Sequence, residues 1–177
     1  MDSKQEAAVQ SFLVSRRMGF AIGLVAGLAM TVLMVALRFA MDTVVLPELI
    51  ADWVIKVTPP EVFDYFIERL QVGAKPLFFT ALLVGQVLAG GGIGTLYVRY
   101  SARVPLKEDQ RWLRGLAFGL IAWMLIAALL TPIVDGGFFG ASVAGGAMDY
   151  LLATLIATAA YGVILTHLHY MALPREA

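Results

Sequence analysis

The sequence predicts an all-α integral membrane protein, a four-transmembrane-helix bundle with an amphipathic helical segment on the periplasmic side between helices one and two. Three observations predict it. Hydrophobic residues fill 60% of the 177 positions and charged residues only 15%, where a soluble domain averages roughly 45–50% and about 25%. Mean hydropathy is +0.81. The apolar residues also gather into four runs, each long enough for a hydrocarbon core of ~30 Å, and the length suits one membrane domain over residues 1–177.

The chain opens MDSKQEAAVQSFLVSRR. Asp2 and Glu6 lie in this lead, and the apolar run behind it is too long for a signal peptide, so a cleaved signal is not expected. The first span covers residues 18–40 with a single charge, Arg38. As a helix it measures ~34 Å. Arg38 is expected to snorkel to the surface and to pair with Asp42 one turn on.

Residues 41–75 are apolar but dotted with Asp42, Glu48, Asp52, Lys56, Glu61, Asp64, Glu68 and Arg69 at helical spacing, so no window of them can span. Leu46, Leu49, Ile50, Trp53 and Val54 fall on one stripe, and Val62, Phe63, Phe66, Ile67 and Leu70 on a second. Thr58-Pro59-Pro60-Glu61 breaks them apart. The pattern predicts two amphipathic helices within 46–71, lying in the interface, with Thr58 capping the second and Glu61 as its early acid.

The second span runs over 76–98, opened by Pro76, whose missing N–H costs nothing there, and stopped before Arg99. The third takes 112–134 and the fourth 148–171. Asp135 and Asp149 bracket the short turn between these two, at helix ends rather than inside hydrocarbon, which argues against a proton relay.

Orientation follows from Lys and Arg. Lys4, Arg16, Arg17, Arg99, Arg103, Lys107, Arg111, Arg114 and Arg175 put nine of the 13 basic residues on one side. Arg38, Lys56, Arg69 and Lys75 put four on the other, among many acids. Both termini are therefore expected in the cytoplasm, and the amphipathic segment outside.

Gly19, Gly23 and Gly27 recur every fourth position in the first span, and Gly115 and Gly119 do so in the third, leaving grooves where backbones approach; these are the expected helix contacts. The second span holds five glycines between Gly85 and Gly94, expected to loosen it or to let another helix cross closely. Gln86 is the one strongly polar side chain deep in a span, and its amide needs a partner such as Thr31, Thr154, Thr158 or a backbone carbonyl. The sharper reading of Gln86 is a hydrogen bond to a quinone or lipid head group.

His167 and His169 are the two histidines. They point about 200° apart on a helix, so they cannot share one metal or clasp one haem, and interfacial anchoring is expected of them. Trp53, Tyr97, Tyr100, Trp112 and Tyr170 fit an aromatic belt, whereas Trp123 falls mid-span. The absence of cysteine excludes disulfides, thiolate metal sites and c-type haem in this chain. Neither a phosphate-cradling loop with a lysine, a Ser/His/Asp set nor HExxH occurs, so no catalysis and no cofactor are expected. Zero net charge gives nucleic acid no reason to bind.

Residues 46–97 resemble the N-terminal membrane-anchor region of bacterial molybdopterin-dependent oxidoreductases of the sulfite-oxidase type. The resemblance rests on Pro47-Glu48-Leu49, Ala74-Lys75-Pro76-Leu77 and Gly85-Gln86, and continues at Pro132-Ile133-Val134-Asp135-Gly136-Gly137-Phe138-Phe139-Gly140. It implies an anchor in the bacterial inner membrane that normally precedes a catalytic domain; no such domain and no molybdenum-ligating cysteine lie within the 177 residues. The expectation is thus a membrane anchor or scaffold that docks a redox protein or membrane complex through its outer amphipathic segment. The alternative is a small quinone- or lipid-binding carrier with Gln86 and the glycine-rich half-helix lining its pocket.

Overall fold

The computed structural model describes residues 3–101 and 110–172, with side chains from Arg16 onward except at positions 63 and 71. Lys4, Arg103, Lys107 and Arg175, which entered the orientation count, lie outside the described side chains. Among the described residues every regular element is helical: α1 Ser3–Met41, α2 Leu46–Val57, α3 Pro60–Leu70, α4 Ala74–Ser101, α5 Arg111–Ile133 and α6 Ala147–Ala172. Four helices are long and apolar enough to cross a membrane: Arg16–Met41 within α1, and all of α4, α5 and α6.

Helix continues a little beyond several of the apolar runs, through Arg16 and Arg17, Lys75, Arg99 and Arg111, because long polar side chains of good helix propensity continue the hydrogen-bonded ladder. The largest extension is at the start of α1, where the lead from Ser3 is already helical. One difference has a covalent cause. The third span was expected to run regularly to 134, but α5 widens into a π turn at Ile126–Leu130 and ends at Ile133. Pro132 has no N–H to give and its ring crowds the carbonyl one turn back. Thr131 Oγ1 donates to the carbonyl of Ile126 at 2.9 Å, five residues away, and satisfies an acceptor in the widened turn.

The spans pack as two antiparallel pairs, α1 with α4 and α5 with α6, and α1 also lies along α6. Small residues make both pairs close. A Cβ added at Gly23 would sit 2.5 Å from the carbonyl oxygen of Gly90 and 2.9 Å from the Cα of Gly94. At Gly119 it would meet the carbonyl oxygen of Thr158 at 2.5 Å and the Cα of Ala159 at 2.7 Å. The glycine-rich stretch of α4 is thus an unbroken helix whose Gly90, Gly91 and Gly94 form a bed for α1, not a loosened segment.

Where the pairs meet, Ile22 and Ala26 of α1, Tyr97 and Val98 of α4, and Tyr161 and Leu165 of α6 form the central cluster. Tyr161 donates to the carbonyl of Gly90 at 2.7 Å, and Thr166 to the Tyr97 hydroxyl at 3.0 Å. Tyr97, expected in the aromatic belt, is instead 2% exposed. Its position near a helix end places it at belt depth, but α4, α5 and α6 converge there and Phe118 meets its ring edge-on at 5.1 Å.

Candidate functional site

The distinctive surface is the end that carries α2 and α3, called here the shelf end. α1 stops as Asp42 takes a left-handed backbone, φ 47°, and the chain folds back into α2. Val45 caps α2, its N–H donating to Glu48 Oε2 at 3.2 Å while Glu48 N donates to the Val45 carbonyl at 2.9 Å. The other Glu48 oxygen, Oε1, accepts from Arg38 Nε at 2.5 Å. This corrects the expected Arg38–Asp42 pair. The turn at Asp42 ends the helical register that the pairing needed, and the first turn of α2 brings Glu48 back over Arg38.

The apolar stripe of α2 is used up by the bundle. Leu46 packs with Met34 and Ala157, and Leu49 with Val134, Val143 and Tyr150. Lys56 then reaches Asp135, in the turn after α5, with Nζ to Oδ2 at 2.6 Å. That turn is tightly made: Gly140 has φ 72°, and a Cβ there would press on Tyr150 Cδ1 at 2.8 Å. Tyr150, wholly buried, shares a 2.8 Å hydrogen bond with Thr131.

α3 is different. Thr58, expected to cap it, instead closes α2 by donating to the Val54 carbonyl at 2.6 Å. Pro60 begins α3 and Val62 N donates to the Pro59 carbonyl, so the position that caps α3 is Pro59, one residue beyond Thr58. Every described side chain of α3 is exposed, including Val62, Tyr65, Phe66, Ile67 and Leu70. Glu61, Asp64 and Glu68 stand on the same helix, and Arg69 lies over the Tyr65 ring at 5.8 Å. The shelf thus has a stitched half, α2, and a free half, α3.

Gln86 donates through Nε2 to Thr31 Oγ1 at 3.0 Å, while Thr31 donates to the Gly27 carbonyl at 2.8 Å. The antiparallel α1–α4 pairing chooses Thr31 over Thr154 and Thr158. Beside this pair, Leu28, Val32, Val35, Leu83, Val84 and Leu88 line an open, almost wholly apolar groove of about 470 Å³. The Gln86 amide does not line it, and the glycine face of α4 is covered by α1.

At the opposite end the histidines part company. His169 is buried and meets the Tyr97 ring edge-on at 5.8 Å, which corrects the expectation of interfacial anchoring for this residue. His167 is half-buried and stacks on Trp112 of α5 at 5.7 Å. Trp123 donates its indole N–H to the Leu151 carbonyl at 3.1 Å, joining α5 to α6. Among the described residues no three His, Asp or Glu side chains gather as metal ligands.

Charge is divided between the two ends. Asp42, Glu48, Asp52, Glu61, Asp64, Glu68, Asp135 and Asp149 are all at the shelf end, whereas Arg16, Arg17, Arg99, Arg111 and Arg114 are at the other. Comparison of the chain with family models, with curated proteins and with solved structures finds no match.

Proposed function

We propose that the chain crosses a bacterial inner membrane four times, with both termini cytoplasmic, and serves as a non-catalytic anchor whose periplasmic shelf holds a partner protein. The membrane reading is supported by large apolar side chains left bare along the spans, such as Val32 at 61% exposed, Leu113 at 70% and Leu129 at 57%. Contiguous apolar surface of this kind costs too much in water. The excess of arginines at the end opposite the shelf, Arg16, Arg17, Arg99, Arg111 and Arg114 against Arg38 and Arg69 at the shelf end, agrees with the cytoplasmic bias of basic residues.

The observation that carries the anchor reading is the contrast between α2 and α3. The bundle spends two ion pairs and a buried stripe on fixing α2, and so holds α3 up with its side chains uncovered. Asp42, Asp52, Glu61, Asp64 and Glu68 around it are exposed, with Arg69 and Lys75 as the local cations outside the two ion pairs. The occupant this surface suits is a soluble protein with a basic face that accepts Tyr65, Phe66 and Ile67 at its centre. The resemblance of residues 46–97 to oxidoreductase anchors makes a redox protein the first partner to test.

The test is site-specific photo-crosslinking from Tyr65 in intact cells, followed by mass spectrometry. The expected result is one soluble redox protein, lost when Glu61, Asp64 and Glu68 are all changed to Lys. Crosslinks to lipid alone, or a protein adduct that survives the charge reversal, would overturn the reading.

A further inference from the structure

We propose that the end of the α5–α6 pair opposite the shelf binds a phosphate group, carried by an anionic lipid head group or by a soluble phosphate. Arg111, the first residue of α5, is half-buried. Its guanidinium carbon lies 5.8 Å from the Trp112 ring centroid and 5.4 Å from that of Tyr170, so rings from two helices hold it in place. Among the described residues it has no carboxylate partner. A guanidinium fixed in this way keeps its fork of N–H donors available, and that fork matches phosphate oxygens two at a time.

His167 and Tyr170, three residues apart, share the face of α6 that meets this arginine and Trp112. The Nδ1 atom of His167 is buried and hydrogen-bonded to nothing in the protein. The same is true of His169 Nδ1 and Ser101 Oγ, each on a side chain 5% exposed at this end of α6 and α4. Buried polar atoms without a partner are costly and uncommon, and the one on His167, beside the Arg111–Trp112–Tyr170 group, points to a ligand that approaches there. A donor on His167 facing a phosphate oxygen gives that atom its partner.

Two further features favour an anion. α5 starts here, so the positive end of its helix dipole faces the same region. The described carboxylates are all at the shelf end, while Arg16, Arg17, Arg99 and Arg114 are at this one. Among the described side chains the local field is therefore positive.

The test uses the full chain in mild detergent after delipidation, with phosphatidylglycerol, phosphatidylcholine or inorganic phosphate added, read by native mass spectrometry and thermal unfolding. Phosphatidylglycerol is expected to be retained and to raise the unfolding temperature. Arg111→Gln should weaken its binding tenfold or more, Arg111→Lys less, and His167→Phe, which keeps the ring stack but removes the donor, severalfold. Phosphatidylcholine should bind more weakly than phosphatidylglycerol. Inorganic phosphate giving the full shift by itself, abolished by the same variants, assigns the site to a soluble phosphate. No shift with any of the three, or a phosphatidylglycerol shift equal in the parent, Arg111→Lys and His167→Phe, would overturn the proposal. Neither the crosslinked partner nor α3 enters this measurement, so it can fail while the anchor reading stands, and the reverse.

Discussion

Replacing single glycines by alanine along α1 and α4 separates close packing from mere helix composition. At Gly23 the added Cβ would lie 2.5 Å from one carbonyl oxygen and 2.9 Å from two Cα atoms. Carbon and oxygen ordinarily approach to about 3.3–3.6 Å, and backbone cannot rotate away, so the helices must part by roughly 1 Å. A seam holding the ~40 atom pairs of one buried leucine, at ~0.15 kcal/mol each, loses about 2 kcal/mol when a third of every well is forfeited. That agrees with the ~1–3 kcal/mol typical of overpacking.

Gly27 is less tight, its nearest contact being 3.1 Å, and Gly85 has nothing within 4 Å. The expected order of destabilisation is Gly23→Ala, then Gly27→Ala, with Gly85→Ala neutral or stabilising by up to about 1 kcal/mol because alanine is the better helix former. Reversible unfolding in mixed detergent micelles, followed by circular dichroism, measures all three. If Gly23→Ala and Gly85→Ala agree within about 0.5 kcal/mol, a typical limit for a substitution that meets no special feature, the α1–α4 seam described here is wrong.

Further substitutions probe polar contacts. Gln86→Leu removes the hydrogen bond to Thr31 and the longer contact with Met34 Sδ, and leaves Thr31 still donating to Gly27; a loss of about 0.6 kcal/mol, the mean for such bonds in a membrane bundle, is expected in the same unfolding assay, and Thr31→Val should add little to it. Glu48→Ala removes both the cap on Val45 and the Arg38 pair and should cost about 1–2 kcal/mol. Lys56→Ala breaks a pair whose side chains are 70% and 57% exposed and should cost at most about 1 kcal/mol.

Elements that declare themselves by periodicity were legible before any coordinates. The two stripes at 46–54 and 62–70 read alike, and both are helices separated near Pro59. Their fates differ because burial depends on what stands opposite. The turn at Asp42 lays α2 across Met34, Val134 and Tyr150, whereas α3 leads directly through Gln71–Gly73 into α4 and has no second layer above it. The same limit applies at Arg38. Sequence spacing finds a partner one turn away, but Glu48 lies ten residues on, beyond a change of chain direction that no local pattern encodes. The π turn did have a signal, Pro132 inside an apolar run, whose consequence is a missing donor one turn back.

The candidate surfaces divide in the same way. Exposed apolar and acidic residues at 61–70 can be read as a pattern, but their lack of cover is a tertiary fact. Arg111, Trp112, His167 and Tyr170 are unremarkable near two helix ends at least 55 residues apart; only antiparallel packing of α5 on α6 brings them together.

What the chain determines by itself is that four long runs coil as helices, since apolar stretches of that length satisfy their peptide groups best within one segment, and that nine of the 13 basic residues fall at one end. What only the tertiary structure decided is which stripes meet: glycines of α1 on glycines of α4, Gly119 on Thr158, Gln86 on Thr31, and α2 rather than α3 against the core. The physical reason is one of range. Backbone hydrogen bonding within a helix acts through neighbours in sequence, whereas close packing and ion pairing compare surfaces that share nothing until the chain has folded.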